Sequence, residues 1–138
     1  MRSDATDMAG PGNLLLKIWR RYGRTIAVTE AHLGCTVDEQ VRWLMEMWEA
    51  ALGARARGAD ITAVTSWALL GSFDWNSLLT REDNYYEPGA FNVFDGHPQP
   101  TLIADMIREL AAGRDFDHPF LSDPGWWRRE SRLERRCA

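Results

Sequence analysis

Thr25-Ile26-Ala27-Val28-Thr29-Glu30 and Ile61-Thr62-Ala63-Val64-Thr65-Ser66 are two short runs rich in β-branched residues, and the second leads into Trp67-Ala68-Leu69-Leu70-Gly71-Ser72-Phe73-Asp74-Trp75. Short apolar runs of this kind are expected as buried strands. Between them Thr36 and Glu39 have the spacing of a capping box, in which each side chain satisfies a backbone donor of the other. Val41, Leu44, Met45, Trp48 and Leu52 then form an apolar stripe opposite Arg42, Glu46 and Glu49. Arg55 and Arg57 suit the last turn of that helix, and Gly58 closes it. A strand–helix–strand crossover of this length pairs its strands in parallel and right-handed, so Glu30 and Trp67 are expected at one sheet edge. Carboxylates and tryptophans at the C-terminal ends of neighbouring parallel strands are what a (β/α)8 barrel presents to its substrate. The expected fold class is therefore α/β, a C-terminal fragment of a TIM barrel. A whole barrel needs about 250 residues and this chain has 138, so a piece is expected.

Working outward, residues 1–24 read as a leader and a first helix. Asn13 is the expected cap of a helix over residues 14–22, with Leu15, Ile18 and Trp19 on one face and Gly23 as its stop. Residues 25–113 make the partial barrel segment. Within it, residues 71–100 are a long loop of aromatics and turn formers, and structureless loops beyond about 12–15 residues are usually functional. A last amphipathic helix follows Pro100, burying Leu102, Ile103, Met106, Ile107 and Leu110 and stopping at Gly113. Residues 114–138 are expected as a tail or linker. Arg128, Arg129, Arg132, Arg135 and Arg136 there, interleaved with Glu130 and Glu134, read as a solvated basic cluster.

Composition excludes several function classes. A net charge of −4 argues against a nucleic-acid partner, whose footprint would be a basic stripe or patch. No apolar run approaches the roughly 18 residues of a membrane span, and the leader lacks the order of a secretory signal, so no membrane partner and a cytoplasmic location are expected. Cys35 and Cys137 make neither a disulfide framework nor metal-ligand spacing. Cys35 reads as a buried thiol beside a helix cap. With no glycine-rich phosphate loop either, no cofactor and no metal are expected.

Glu30 is the sharpest candidate for chemistry. A carboxylate directly after a buried strand sits on a rigid element where substrates bind; in a retaining glycosidase it attacks the anomeric carbon while a second carboxyl handles the proton. The plainer alternative is a loop carboxylate paired with an arginine. Trp67 and Trp75 offer flat faces to pyranose rings, and Asp74 can accept from sugar hydroxyls; the alternative for either indole is core packing. His32 is a ligand contact or a loop residue. His97 and His118, beside prolines, read as surface residues. Asn84-Tyr85-Tyr86-Glu87 lines a cleft or anchors a loop.

These stretches resemble the C-terminal end of glycoside hydrolase family 1, the β-glucosidase family, whose seventh strand carries I-T-E-N-G and whose eighth carries W-S-L-L-D-N-F-E-W. The matching residues are Ala27-Val28-Thr29-Glu30-Ala31-His32 and Trp67 to Trp75, and the likeness spans residues 22–110. It implies the strand 7 to helix 8 portion of the barrel, with Glu30 as catalytic nucleophile and Trp67, Asp74, Trp75 and His32 as the substrate-binding set. It also implies a carbohydrate substrate and, as partner, the missing N-terminal barrel half. Ala31-His32 replace Asn-Gly, Gly71-Ser72 replace Asp-Asn, Asp74 is one methylene shorter than Glu, and the N-E-P signature of the acid/base is absent. The expected function is that of a partial retaining glycoside hydrolase, inactive alone. Trp67 to Thr80, with Pro124-Gly125-Trp126-Trp127-Arg128-Arg129 downstream, is similar to family-1-like barrels fused ahead of dTDP-4-dehydrorhamnose reductase-like domains. That narrower likeness implies a sugar-nucleotide reductase domain as partner. Its alternative function is a non-catalytic carbohydrate-binding or assembly module of a dTDP-sugar pathway.

Overall fold

The computed structural model describes residues 10–77 and 80–129. Helix α1, Pro11–Tyr22, starts with a proline whose fixed φ suits the first turn and whose missing N–H would have had no partner there. Gly10, rather than Asn13, is its N-cap. It ends where Gly23 turns left-handed at φ 58° and donates its N–H to the Trp19 carbonyl. Leu15 and Leu16 are buried against Ala51 and Ala54 of the next helix, whose small side chains let the two helices approach.

Strand β1, Ile26–Ala31, helix α2, Val37–Ala56, and strand β2, Ile61–Ser66, form the expected crossover, and β1 pairs with β2 in parallel. Ile26 lies opposite Ile61, Val28 opposite Val64 and Ala31 opposite Ser66, with register shifts after Ile26 and after Val28. Thr36 holds the N-cap position of α2, but its hydroxyl makes no cap hydrogen bond. The capping box does not form, because Glu39 is buried and turned toward Arg42, Arg129 and the Trp126 amide.

The loop expected over residues 71–100 holds two small antiparallel ribbons. Strand β3, Ser72–Phe73, pairs with β4, Tyr86–Glu87, and β5, Phe91–Asn92, pairs with β6, Gln99–Pro100. Helix α3, Leu102–Ala111, follows. The main core joins Val41, Leu44 and Met47 of α2 to Ile103, Met106 and Leu110 of α3, with Ala31 and Ala90 between them. Short 3-10 turns at Pro119–Ser122 and Trp126–Arg128 lie beyond. Instead of extending as a solvated tail, that segment docks on α2: Trp127 Nε1 donates to Glu46 at 2.6 Å, Arg128 also bonds Glu46, and Arg129 reaches Glu39 at 3.0 Å. The other basic residues of the cluster lie outside the described residues.

This is a small α/β fold and not a fragment of a TIM barrel. In a barrel each strand pairs along both edges. Here, among the described residues, β1 and β2 pair only with each other, and every other sheet is a two-residue antiparallel ribbon. The strands are also not buried as expected. One face, with Val28 and Val64, packs on the helices, while Ala27, Thr29, Ala63 and Thr65 on the other are exposed. A two-stranded sheet is marginal in water unless something covers a face, so α1, α2 and α3 supply the cohesion.

Candidate functional site

The parallel pairing carries the ends of β1 and β2 to the same place. Trp67 N–H donates to the Ala31 carbonyl at 3.3 Å, so the two departing loops start side by side. Beyond Trp67, whose peptide bond to Ala68 is cis, the chain pairs with a distant segment: Ala90 N–H donates to Ala68 and Phe91 N–H to Leu69, both at 2.8 Å. These contacts bring Glu87-Pro88-Gly89 against the tryptophan. Gly89 is needed for the approach, since a Cβ there would lie 2.5 Å from the Ala68 carbonyl oxygen. Gly71 is needed as well, because a Cβ would meet the Tyr86 hydroxyl at 2.0 Å.

The result is a cleft of about 210 Å³ lined by His32, Trp67, Leu70, Trp75, Glu87 and neighbouring backbone. The rings of Trp67 and Trp75 lie 4.9 Å apart and tilted by 35°, and Trp67 is 37% exposed. His32 stands edge-on to Trp75 at 6.4 Å. Its Nδ1 lies 3.1 Å from the Trp67 carbonyl oxygen and its Nε2 2.8 Å from Glu87 Oε1, at ion-pair distance but off the line of a good hydrogen bond. Gln40 Nε2 donates to the Cys35 carbonyl at 3.0 Å and approaches Glu87 Oε1 at 3.5 Å. Burial pushes the Glu87 carboxyl above its usual range, and the facing His32 partly offsets the push.

Of the residues singled out in the sequence, the structure therefore brings His32, Trp67 and Trp75 together. Glu30 is on β1, exposed, without a hydrogen-bond or ion-pair partner among the described residues, and outside the cleft lining. Asp74, at φ 53°, has its carboxylate occupied: Oδ2 accepts from the amides of Asp83 and Asn84 and Oδ1 from Tyr85, at 2.8–3.1 Å. It clasps the loop that carries Trp75. Cys35 is disulfide-bonded and is not the free thiol expected. His118 is half-buried between Phe116 and Phe120, and its Nδ1 accepts from the Phe120 amide.

Glu87 entered the sequence reading only as the last residue of Asn84-Tyr85-Tyr86-Glu87, expected to line a cleft or anchor a loop, and the structure puts it in the cleft lining. Its one local signal is a carboxylate placed just before Pro88-Gly89 in a stretch otherwise made of aromatics. Gln40 carries no signal beyond its place on the first turns of α2.

A second, larger cleft of about 510 Å³ is lined by Leu14, Trp43, Met47, Trp126 and Trp127, and its charged lining residues, Glu46 and Arg128, are bonded to each other. It therefore offers a ligand little beyond apolar surface. Among the described residues no three His, Cys, Asp or Glu side chains are grouped to hold a metal, and no helix is long and apolar enough to cross a membrane. A scan against protein-family models finds no match, and comparison with curated proteins finds no similar sequence.

Proposed function

We propose that this chain is a carbohydrate-binding module whose sugar ring lies against Trp67 and Trp75. The observation that carries the proposal is the tilted indole pair in a cleft also lined by the His32 and Glu87 side chains. Indole faces suit the C–H-rich face of a pyranose, and a few convergent polar groups orient a ligand in an otherwise apolar site. We place the module beside a sugar-nucleotide reductase partner, as the narrower resemblance implies, and in an oxidising compartment rather than the expected cytoplasm, because Cys35 is disulfide-bonded.

Binding comes before hydrolysis for a geometric reason. Retaining hydrolysis needs two carboxyls about 5–5.5 Å apart across the scissile bond, and the cleft lining contains one, Glu87, without Glu30. Retaining hydrolysis with Glu30 as nucleophile stands second, favoured by the raised carboxyl of Glu87, since the acid of such a pair must hold its proton.

Titration of the protein with a panel of mono- and disaccharides, read by tryptophan fluorescence, tests the first reading; saturable quenching is expected. Nitrophenyl glycosides test the second. Turnover abolished by Glu30→Gln would move the assignment to hydrolysis, and no saturation with any sugar would remove the first.

A further inference from the structure

We infer that the cleft between α1, α2 and the Trp126–Arg128 turn is a second binding site, and that it takes a flat, neutral aromatic molecule of about two fused rings with a hydrogen-bond acceptor on its edge. It shares no lining residue with the cleft of Trp67 and Trp75, so the inference does not rest on the carbohydrate reading.

Size and surface come first. At about 510 Å³ the cleft falls within the roughly 300–1,000 Å³ of small-molecule sites. Segments far apart in the chain wall it: Leu14 from α1, Trp43 and Met47 from α2, Trp126 and Trp127 from the turn. The Trp127 ring stands at 88° to Trp43, with centroids 5.2 Å apart, and at 83° to Trp126, at 6.0 Å. The lining therefore presents both ring faces and ring edges, the two surfaces against which a further aromatic ring packs. Leu14 is 55% exposed, so a ligand that covers it removes a large apolar side chain from water.

Charge argues for a neutral ligand. Among the described residues, Glu46 and Arg128 are the only titratable groups of the lining. Glu46 Oε2 accepts from Trp127 Nε1 at 2.6 Å and Oε1 pairs with Arg128, so neither charge is left over. A charged ligand would lose its hydration here and find no counter-ion.

The acceptor follows from Trp126. Its backbone N–H donates to Glu39 at 3.1 Å and Arg129 bonds the same carboxylate, which fixes the turn on α2. Its indole N–H, in contrast to that of Trp127, is buried without a hydrogen-bond partner among the described residues. Buried polar groups of native proteins are nearly always paired, so an orphaned donor on a side chain that walls a cleft marks an unfilled contact. Rotation of the ring about its Cβ–Cγ bond carries that nitrogen from its buried position to the ligand with no change in the main chain.

Calorimetric titration of the full chain with three probes of similar shape tests the site: quinoline, neutral with a ring acceptor; naphthalene, which lacks the acceptor; and 2-naphthoate, which is charged. Quinoline should saturate, naphthalene should bind about fivefold more weakly, and 2-naphthoate about tenfold more weakly. Leu14→Glu puts a carboxylate into the apolar wall at an exposed position, where a substitution changes stability little. It should lower quinoline affinity about tenfold, while the sugar titration and the Trp67–Trp75 exciton couplet in circular dichroism stay as in the wild type. No saturation by quinoline, equal affinity for quinoline and naphthalene, 2-naphthoate bound as tightly as quinoline, or unchanged affinity in Leu14→Glu overturns the inference.

Should Leu14→Glu not fold, the indole N–H resonances of 15N-tryptophan-labelled wild type decide. A downfield shift of the Trp126 indole proton on adding quinoline, assigned among seven tryptophans through Trp126→Phe, supports the inference. Shifts confined to Trp67 and Trp75 place the aromatic in the other cleft and overturn it. A quinoline affinity that weakens as protein concentration rises means that a second copy of the chain fills the site, which also overturns it.

Discussion

His32 Nδ1 sits 3.1 Å from the carbonyl oxygen of Trp67, 35 residues further along the chain, across the ends of the two parallel strands. The contact exists because β1 and β2 run in parallel and end together, with Ala31 opposite Ser66. One strand end thus contributes a polar ring and the other an indole, and the Glu87-Pro88-Gly89 turn closes the third side.

That closure depends on Gly89. A methyl group there would lie 2.5 Å from the Ala68 oxygen and 2.7 Å from the Leu70 carbonyl carbon, both backbone atoms that cannot swing aside. Gly89→Ala is expected to lower stability by about 1–3 kcal/mol, the usual cost of overpacking, and to weaken the Trp67–Trp75 couplet. Urea denaturation and circular dichroism check the two effects; an unchanged couplet would mean that this backbone approach does not hold the cleft.

Asp74→Ala leaves three amide donors of residues 83–85 without their acceptor. These amides are near water, so the expected stability loss is modest, about 1 kcal/mol. Sugar affinity should fall because Trp75 is no longer anchored. Asp74→Asn, which keeps one acceptor oxygen, should recover part of both. If Asp74 instead touched the sugar directly, affinity would fall while amide exchange across residues 83–85 stayed as slow as in the wild type.

Glu39→Ala tests the docking of Trp126–Arg128 on α2. Glu39 accepts from the Trp126 amide at 3.1 Å and from Arg129 at 3.0 Å, and it faces Arg42 at 3.2 Å. Losing this partly buried acceptor should cost about 2–3 kcal/mol and open the segment to proteolysis first, with the Trp67–Trp75 cleft intact. Cleavage no faster than in the wild type would contradict the assignment.

Stability should also respond to pH at Glu87. Its folded carboxyl is raised above the ordinary 4.5, chiefly by burial. A group whose pKa rises on folding contributes stability that is complete below the unfolded value and is lost as pH climbs through the folded one. Wild type should therefore lose stability relative to Glu87→Gln as pH rises above about 4.5. Urea midpoints for both proteins across that range check the sign; a difference that grows as pH falls would reverse it.

How far the sequence displays these arrangements depends on how local they are. β2 occupies the expected residues 61–66 and α2 forms where its periodicity put a helix, but its buried face runs through Val41, Leu44, Met47, Ala51 and Ala54 and leaves Leu52 of the expected stripe exposed. What the strands pair with next is not local, and the barrel expectation failed there. Ala27, Thr29, Ala63 and Thr65 are small enough to suit a covered or an open face, and they lie on an open one. His32, Trp67 and Trp75 were visible as candidates because they follow strand ends. Glu87 was visible only as the end of a stretch read as lining a cleft or anchoring a loop, since it arrives through the Ala68–Ala90 and Leu69–Phe91 backbone pairings, which leave no pattern in the sequence. Asp74 has the residue type of a sugar acceptor and the hydrogen bonds of a loop clasp.

The most direct test of the account is sugar titration of wild type and Trp67→Ala, with folding of both verified by circular dichroism. Base-to-indole stacking on proteins is worth about 1–3 kcal/mol, and a sugar face on the exposed Trp67 ring is expected toward the lower end, so affinity should fall about tenfold. Equal affinity in the two proteins, or no saturable binding by the wild type, would contradict a carbohydrate site at this cleft.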